Sequence, residues 1–133
     1  MNNATNDKEH TNKTFSGGFN IASKDRPLKY YQWGNHCEGW NLVDESDFSV
    51  KLESMPPGTE ETLHYHQQAQ QFFFILKGSA FFEIDGKLTG LNEGQGMHIR
   101  PKIKHRIINR SDEELQFILC SQPSTQKDRF NFA

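Results

Sequence analysis

Apolar and polar residues alternate over short segments along most of the chain, and this pattern predicts an all-β protein. In FSVKLESM at 48–55, for example, Phe48, Val50 and Leu52 alternate with mostly polar neighbours. Turn-forming residues separate the segments, such as Asp85-Gly86, which suits a two-residue type I′ hairpin. No apolar stripe of helical period persists over three turns, so the pattern favours a sandwich or a barrel. The predicted strands cover about 30–33, 40–43, 48–55, 62–66, 71–77, 80–84, 87–91, 97–99, 105–109 and 115–120.

The segment QFFFILKG at 71–78 is apolar on both faces of the predicted strand. Gln71, Phe73 and Ile75 share one face, and the even-numbered residues from 72 to 76 point the other way. Such a strand lies either between two layers of one chain or between a sheet and a second subunit. We therefore expect a homodimer, with a sandwich within one chain as the alternative.

The first twenty residues are polar, whereas the alternating pattern occupies the remainder of the chain. Residues 1–20 contain too little apolar surface to favour ordering, and we expect a disordered or loosely attached tail. Residues 21–133 then form a single domain, as the length of 133 residues also suggests. The terminal segment RFNF at 129–132 alternates like a strand that either pairs with a partner subunit or frays.

Composition and charge exclude several classes of protein. The net charge of −2 provides no basic surface for nucleic acid, and no apolar run is long enough to cross a membrane. The N-terminal residues lack the apolar region of a secretion signal, and with only two cysteines we expect a cytoplasmic protein. Cys37, expected in a surface loop, and Cys120 are then free thiols or form a single bridge.

Four nitrogen- and oxygen-bearing side chains are spaced so that they can converge on one ion. His64 and His66 are two residues apart on a predicted strand and therefore point to the same face. Gln71 begins the next strand, and His105 opens a later one after the turn at 100–102. Three imidazoles and an amide from three strands suit a divalent transition metal, although His-x-His alone is more often structural.

The spacing around the two histidines resembles the first motif of the cupin family, G-(x)5-H-x-H-(x)3,4-E-(x)6-G. Gly58, His64, His66 and Gly78 match it, and Gln71 stands at the position of the glutamate. The second motif, G-(x)5-P-x-G-(x)2-H-(x)3-N, is less complete. Its glycine, histidine and asparagine have counterparts at Gly94, His105 and Asn109, but its Pro-x-Gly is replaced by Arg100, Pro101 and Lys102. The chain is thus similar to a small single-domain cupin over about 28–122.

The resemblance implies a double-stranded β-helix, or jelly-roll barrel, with one metal ion inside. His64, His66, Gln71 and His105 occupy the ligand positions, and the metal would be zinc, nickel, manganese or iron. Glutamine in place of glutamate leaves the charge of the ion uncompensated, which favours an anionic, carboxylate-bearing ligand. Cupins with similar three-histidine, one-glutamine sites include enzymes that linearise uronate sugars.

Other residues are candidates for proton transfer and substrate binding. His98 and Arg100 share one face of a predicted strand. If this face lines the barrel, His98 is a proton shuttle and Arg100 binds a carboxylate; otherwise both are solvated. Glu60 and Glu61 precede the His-x-His segment and either supply a general base or belong to a solvated loop.

These observations favour a non-redox metalloenzyme of the isomerase, lyase or ring-opening type that acts on a carboxylated sugar or a hydroxy or keto acid. The ligand set also permits a metal-dependent dioxygenase. A third reading is a binding or sensor protein without turnover, since the sequence shows no unambiguous general base. Oxygen consumption distinguishes the first two, and binding without product formation identifies the third.

Overall fold

The computed structural model describes residues 17–132, and every regular element in that range is a β-strand. The predicted N-terminal tail therefore lies outside the described residues, apart from the exposed residues 17–20. The strands are β1 (Lys29–Trp33), β2 (Cys37–Glu45), β3 (Phe48–Met55), β4 (His64–Tyr65), β5 (Gln70–Lys77), β6 (Ala80–Ile84), β7 (Lys87–Leu91), β8 (Gly96–Ile99), β9 (His105–Ile108), β10 (Leu115–Gln122) and β11 (Phe130–Asn131).

The strands form two antiparallel sheets, and the predicted all-β class is confirmed. The six-stranded sheet has the order β1-β2-β3-β10-β5-β8, and the five-stranded sheet has the order β11-β4-β9-β6-β7. Strands that are distant in sequence are neighbours in the six-stranded sheet, where β10 lies between β3 and β5. Within residues 17–132, no helix is long and apolar enough to cross a membrane.

The residues in the hairpin turns suit the backbone angles that these turns require. Asp85 and Gly86 both have positive φ, 47° and 86°, as a type I′ turn between β6 and β7 requires. Gly78, with φ of 83°, reverses the chain between β5 and β6. A Cβ atom at position 78 would lie 2.7 Å from the carbonyl oxygen of Glu114, so the turn has no room for another side chain.

Three phenylalanines join the two sheets in the core. Phe73 of β5 packs edge-on against Phe82 of β6, with ring centroids 5.0 Å apart, and against Phe117 of β10 at 5.6 Å. All three are fully buried, and the ring of Phe73 also contacts that of His105. The aromatic core therefore adjoins the predicted metal site directly.

Cys37 is a correction to the sequence analysis, which expected it in a surface loop. It is fully buried at the start of β2 and belongs to the core. Cys120 is half-buried on β10, and both thiols are free. Phe117 and Leu119 of β10 point into the core, so by alternation Cys120 points to the outer face. The two cysteines thus lie on opposite faces of one sheet, and a bridge between them is ruled out.

The C-terminal segment pairs with its own chain. β11 lies antiparallel to β4, with Phe130 opposite Tyr65 and Asn131 opposite His64. The rings of Phe130 and Tyr65 stack at 5.1 Å, and Phe132 donates its backbone N–H to the carbonyl of Leu63. This segment thereby extends the five-stranded sheet beside the strand that carries His64.

Candidate metal centre

The two sheets bring the four predicted ligands together in the interior. His64 of β4 lies directly opposite His105 of β9, and His66 follows on the same face two residues later. Gln71 extends toward them from β5 of the other sheet. All four side chains are buried, and one ligand atom from each histidine lies within 4.8 Å of the others. The three-histidine cluster therefore has the compactness that one bound ion requires.

Each imidazole is held by a hydrogen bond to a backbone carbonyl. In His64, Nδ1 donates to the carbonyl of Thr62 at 2.7 Å. In His105, Nδ1 donates to the carbonyl of Ile103 at 2.9 Å. In His66 the acceptor is the carbonyl of Asp128, at 2.6 Å. Because a carbonyl only accepts, the proton of each neutral ring is on Nδ1, and Nε2 keeps a free lone pair for a metal.

Several acceptor atoms in the cluster face one another without a hydrogen-bond donor between them. The side-chain amide of Gln71 donates from Nε2 to Ser121 Oγ at 3.1 Å, which turns its Oε1 toward His105. That oxygen lies 3.1 Å from His105 Nε2, so that two acceptors face each other. Nε2 of His66 is buried and has no hydrogen-bond partner among the described residues. A cation bound here would satisfy all these atoms, and the residues present therefore fit a metal ion.

The surroundings keep the three imidazoles uncharged at neutral pH. Burial, followed by the positive charge of Arg129, lowers the pKa of His64 to about 3. Burial is also the main reason that the pKa of His105 falls to about 4 and that of His66 falls below its ordinary value. Neutral imidazole is the form that binds a metal, so the free protein already presents its ligands in that form.

Asp128, a residue that the sequence does not mark as functional, holds one side of the site in place. Besides the bond from its carbonyl to His66, its carboxylate accepts three backbone N–H groups, from Gln67, Gln68 and Ala69, at 2.8 to 3.0 Å. These bonds lower the pKa of Asp128, although burial opposes them. The loop that they fix joins His66 to Gln71. No local motif announces this role, because the contacts span about sixty residues of sequence.

Of the two glutamates considered, Glu61 faces the cluster and Glu60 does not. Oε2 of Glu61 lies 3.9 Å from Nε2 of His64 and 3.3 Å from Nη1 of Arg129. Burial raises the pKa of Glu61 to about 7, although Arg129 opposes the shift. Glu60 is exposed and instead forms an ion pair with Arg106 at 3.0 Å. Of these two candidates for proton transfer, only Glu61 therefore lies beside the cluster.

His98 and Arg100 lie outside the barrel interior. In the pairing of β5 with β8, Gln71 is opposite Ile99 and shares the inner face with it, whereas His98 is opposite the exposed Phe72. His98 is exposed, and its ring shares a hydrogen bond with the side chain of Gln70 at 2.8 Å. Arg100 is exposed as well. Of the two arrangements considered, the structure thus has the one in which alternation directs both side chains to solvent.

The chain is similar in sequence to a known protein family. The family model Cupin_2, described as a cupin domain, matches residues 51–121, just over half of the chain. CurC of Streptomyces cyaneus, named a polyketide synthase, is 30% identical over 76 residues, which is 57% of this chain and 49% of that protein. The chain spans about half the length of the curated relatives it matches.

Solved structures share the fold at low sequence identity. KdgF from Halomonas superimposes with a TM-score of 0.72 at 14% identity, covering 81% of this chain and 96% of that one. A predicted oxalate decarboxylase from Thermotoga maritima gives a TM-score of 0.70 at 18% identity, covering 80% and 100%. The expected double-stranded β-helix is thereby confirmed.

Proposed function

The chain belongs to the cupin family, and we propose that it is a metal-dependent, non-redox enzyme of the isomerase, lyase or ring-opening type. Its substrate is a small carboxylated sugar or a hydroxy or keto acid. The metal is one divalent ion, zinc, nickel, manganese or iron, bound by His64, His66, Gln71 and His105.

The main support for the proposal is that buried acceptor atoms without a hydrogen-bond donor lie close together in the cluster. Oε1 of Gln71 faces Nε2 of His105 at 3.1 Å, and Nε2 of His66 lacks a partner among the described residues. Buried acceptors without donors are costly, and a bound cation removes that cost. The hydrogen bonds from Nδ1 to backbone carbonyls already orient the rings, so the site is organised before an ion arrives.

The neutral ligand set favours non-redox chemistry on an anion. With three imidazoles and one amide, no ligand cancels the charge of the ion, which therefore attracts a carboxylate. A bound divalent ion would supply Lewis acidity, polarising a carbonyl or hydroxyl oxygen of the substrate. The ligand set also differs from the two-histidine, one-carboxylate set of many non-haem iron oxygenases.

Two charged residues beside the cluster have distinct roles in this proposal. Arg129 places its guanidinium near the three imidazoles, where it contributes to lowering each pKa, and it adds positive potential for a carboxylate. Glu61 is the carboxyl group that the geometry brings to the cluster, 3.9 Å from His64 Nε2, and it is the group placed to exchange a proton with a bound substrate.

Turnover with and without oxygen tests the proposal. Metal-loaded protein is incubated with a panel of uronates, hydroxy acids and keto acids under argon and under air, and products are followed by NMR. Because a relative is named as a polyketide synthase, the panel includes a small β-diketone, whose two oxygens can also chelate an ion.

We expect product from a carboxylated substrate under argon. Turnover that requires and consumes oxygen would instead identify a dioxygenase. Saturable binding with no product across the panel would identify a binding or sensor protein. A matched pair of variants, Glu61→Gln and Glu60→Gln, locates the proton-transfer group, and we expect only the first to slow turnover.

A further inference from the structure

A row of polar side chains leads away from the three-histidine cluster across the inner face of the six-stranded sheet. Gln71 of β5 lies opposite Ser121 of β10, and Ser121 lies opposite Ser49 of β3. All three are buried, and the amide of Gln71 donates to Ser121 Oγ. Because neighbouring strands are about 4.8 Å apart, Ser49 stands roughly 10 Å from the predicted metal ligand.

Two buried oxygen atoms at the far end of this row are unused. Oγ of Ser49 and Oδ1 of Asn41 have no hydrogen-bond partner in the part of the chain that the structure describes. Ser49 is 2% exposed and Asn41 is 8% exposed, so both are more than nine-tenths buried. An orphaned amide oxygen requires a donor, and a hydroxyl group of a ligand can be that donor.

Lys51 lies between these two residues. It shares the inner face with Ser49, two residues away on β3, and is directly opposite Asn41 of β2. Among residues 17–132 it forms no ion pair, and its ammonium group lies over the ring of Tyr31, 5.7 Å from the centroid. Lys51 thus adjoins the polar row that runs from Gln71 through Ser121 to Ser49.

The nearby carboxyl group of Glu53 forms no ion pair with this lysine among residues 17–132. Glu53 instead accepts a hydrogen bond from the hydroxyl group of Tyr31. Burial raises the pKa of Glu53, although the hydrogen bond from Tyr31 and the charge of Lys51 oppose the shift. Lys51 itself is half-buried. A positive group, a hydroxyl and an amide oxygen are thus grouped on one inner surface, at a distance from the metal centre.

We propose that Ser49, Lys51 and Asn41 form a second subsite, which binds the far end of the ligand whose near end is held at the three-histidine centre. The ligand is then a polyhydroxylated dianion: one oxygen-rich end reaches the metal, and a second anionic group pairs with Lys51. The separation suits a chain of about six carbons, given the strand spacing. This inference rests on the proposed function, because it uses the metal centre as the first anchor.

Three six-carbon probes separate the contributions of charge and hydroxyl groups. D-Glucarate has two carboxylates and four hydroxyls, D-gluconate has one carboxylate, and adipate has two carboxylates without hydroxyls. Calorimetric titration of metal-loaded protein measures their affinities, and the metal content of each sample is determined separately. Lys51→Met removes the proposed anion contact, and Lys87→Met, on the exposed face of β7, is the matched control.

We expect wild-type protein to bind D-glucarate about tenfold more tightly than D-gluconate, the effect of one charge-assisted contact. It should also bind D-glucarate more tightly than adipate, because adipate has no hydroxyl groups for Ser49 and Asn41. Lys51→Met should abolish the preference for D-glucarate over D-gluconate while the metal content stays unchanged. Lys87→Met should retain that preference. Ser49→Ala should reduce the preference for D-glucarate over adipate, because it removes a partner for the hydroxyl groups.

Equal affinities for D-glucarate and D-gluconate, or a preference that survives Lys51→Met, would overturn the subsite and leave the metal centre standing. Binding of none of the probes by metal-loaded protein would overturn it as well. Wild-type protein that takes up no metal would overturn the proposed function itself, a result distinguishable from the others by its metal content.

Discussion

Backbone carbonyls select the protonation state of the three histidines. Each of His64, His66 and His105 donates from Nδ1, so Nε2 is the nitrogen left free for a metal in all three. Burial keeps the rings neutral at a pH where an exposed imidazole would begin to take up a proton. In mild acid the folded protein therefore binds fewer protons than the unfolded protein, and its stability depends on pH.

The metal-free protein should therefore lose stability in mild acid. His105 has a pKa of about 4 when folded and about 6.5 when unfolded. Its contribution is fully present above 6.5 and is lost as the pH falls toward 4, because only the unfolded state binds the proton there. Relative to a His105→Gln variant, the free energy of unfolding of wild-type protein should fall by about 1 kcal/mol per pH unit in this range.

Urea denaturation of both proteins between pH 7 and pH 4.5 measures this difference. The raised pKa values of Glu53 and Glu61 act in the opposite direction, but both proteins carry these groups and the difference largely removes them. His98→Gln is the control, since that side chain is exposed. A wild-type to His105→Gln difference that is constant with pH would contradict the neutral, buried imidazole.

Lys102 explains how the incomplete second motif still folds. It stands where the cupin motif has glycine, and its φ is 74°, in the left-handed region that glycine adopts readily. Its backbone N–H donates to the carbonyl of His66 at 2.6 Å, which fixes the turn against the metal site. The chain therefore retains the backbone conformation of the motif with a residue that adopts it at a cost.

Restoring the glycine should stabilise the protein. Lys102→Gly relieves a left-handed non-glycine residue, and we expect a gain of about 1 kcal/mol in the free energy of unfolding. Lys104→Gly, in the same exposed turn but without a positive φ, should be neutral or destabilising. Thermal denaturation compares the two variants, and a loss of stability in Lys102→Gly would refute the explanation.

At the scale of elements, the C-terminal segment completes the metal site. The segment from Thr125 to Phe132 adds β11 to the sheet beside His64 and supplies the carbonyl that orients His66. The carboxylate of Asp128 also fixes the loop that leads from His66 to Gln71. Two of the four predicted ligands thus depend on one residue near the end of the chain.

Removal of this carboxylate should weaken metal binding without altering a ligand. In Asp128→Ala, three backbone N–H groups lose their acceptor, and we expect the affinity for Zn²⁺ to fall about tenfold, as for other residues that orient metal ligands. Competition with a chromophoric chelator measures the affinity. Asp112→Ala, in an exposed loop, should bind Zn²⁺ as the wild type does. Equal affinities for the two variants would show that the segment does not position the site.

The sequence predicted the strands and the ligand cluster better than it predicted the parts around them. Alternation and spacing are local properties, so they predicted that His64 and His66 share a face. Gln71 was expected to face them from a strand paired with theirs, whereas it reaches them from the other sheet. The contacts of Asp128 join residues about sixty positions apart, and no local pattern encodes them. His98 was left undecided because alternation defines two faces of a strand but does not say which one is inside.

At the scale of the whole molecule, the six-stranded sheet has an apolar outer surface. Phe72, Phe74 and Leu76 of β5 are exposed there. The apolar row continues across the sheet, because Ile118 of β10 lies opposite Phe74, and Leu52 of β3 lies opposite Ile118. Contiguous apolar surface is uncommon on monomers, and a second copy of this chain is the occupant that we predict for it.

A single charge on this surface should dissociate the predicted dimer. Phe74 is 36% exposed, and Phe81, on the five-stranded sheet, is 38% exposed, so the two form a matched pair. We expect a dimer for wild-type protein and for Phe81→Asp, and a monomer for Phe74→Asp. Sedimentation velocity distinguishes these states. A monomeric wild type would contradict the prediction.

The modest apolar content of the chain follows from what its interior holds. Apolar residues, counted with glycine and without tyrosine, make up about 39% of the sequence, below the usual share of about 45–50% for a globular domain. The interior contains, besides the phenylalanine core, three imidazoles, the amide of Gln71, and the buried carboxyl groups of Glu53 and Glu61. A barrel built around a polar site needs fewer aliphatic side chains than a plain sandwich does.

The central claim is that the three histidines and Gln71 bind one divalent metal ion. Elemental analysis of protein purified without added metal tests it most directly, with His64→Ala and His105→Ala measured beside the wild type. We expect about one divalent transition metal ion per wild-type chain and a large loss in both variants. Wild-type protein without stoichiometric metal, or variants with undiminished metal content, would contradict the account.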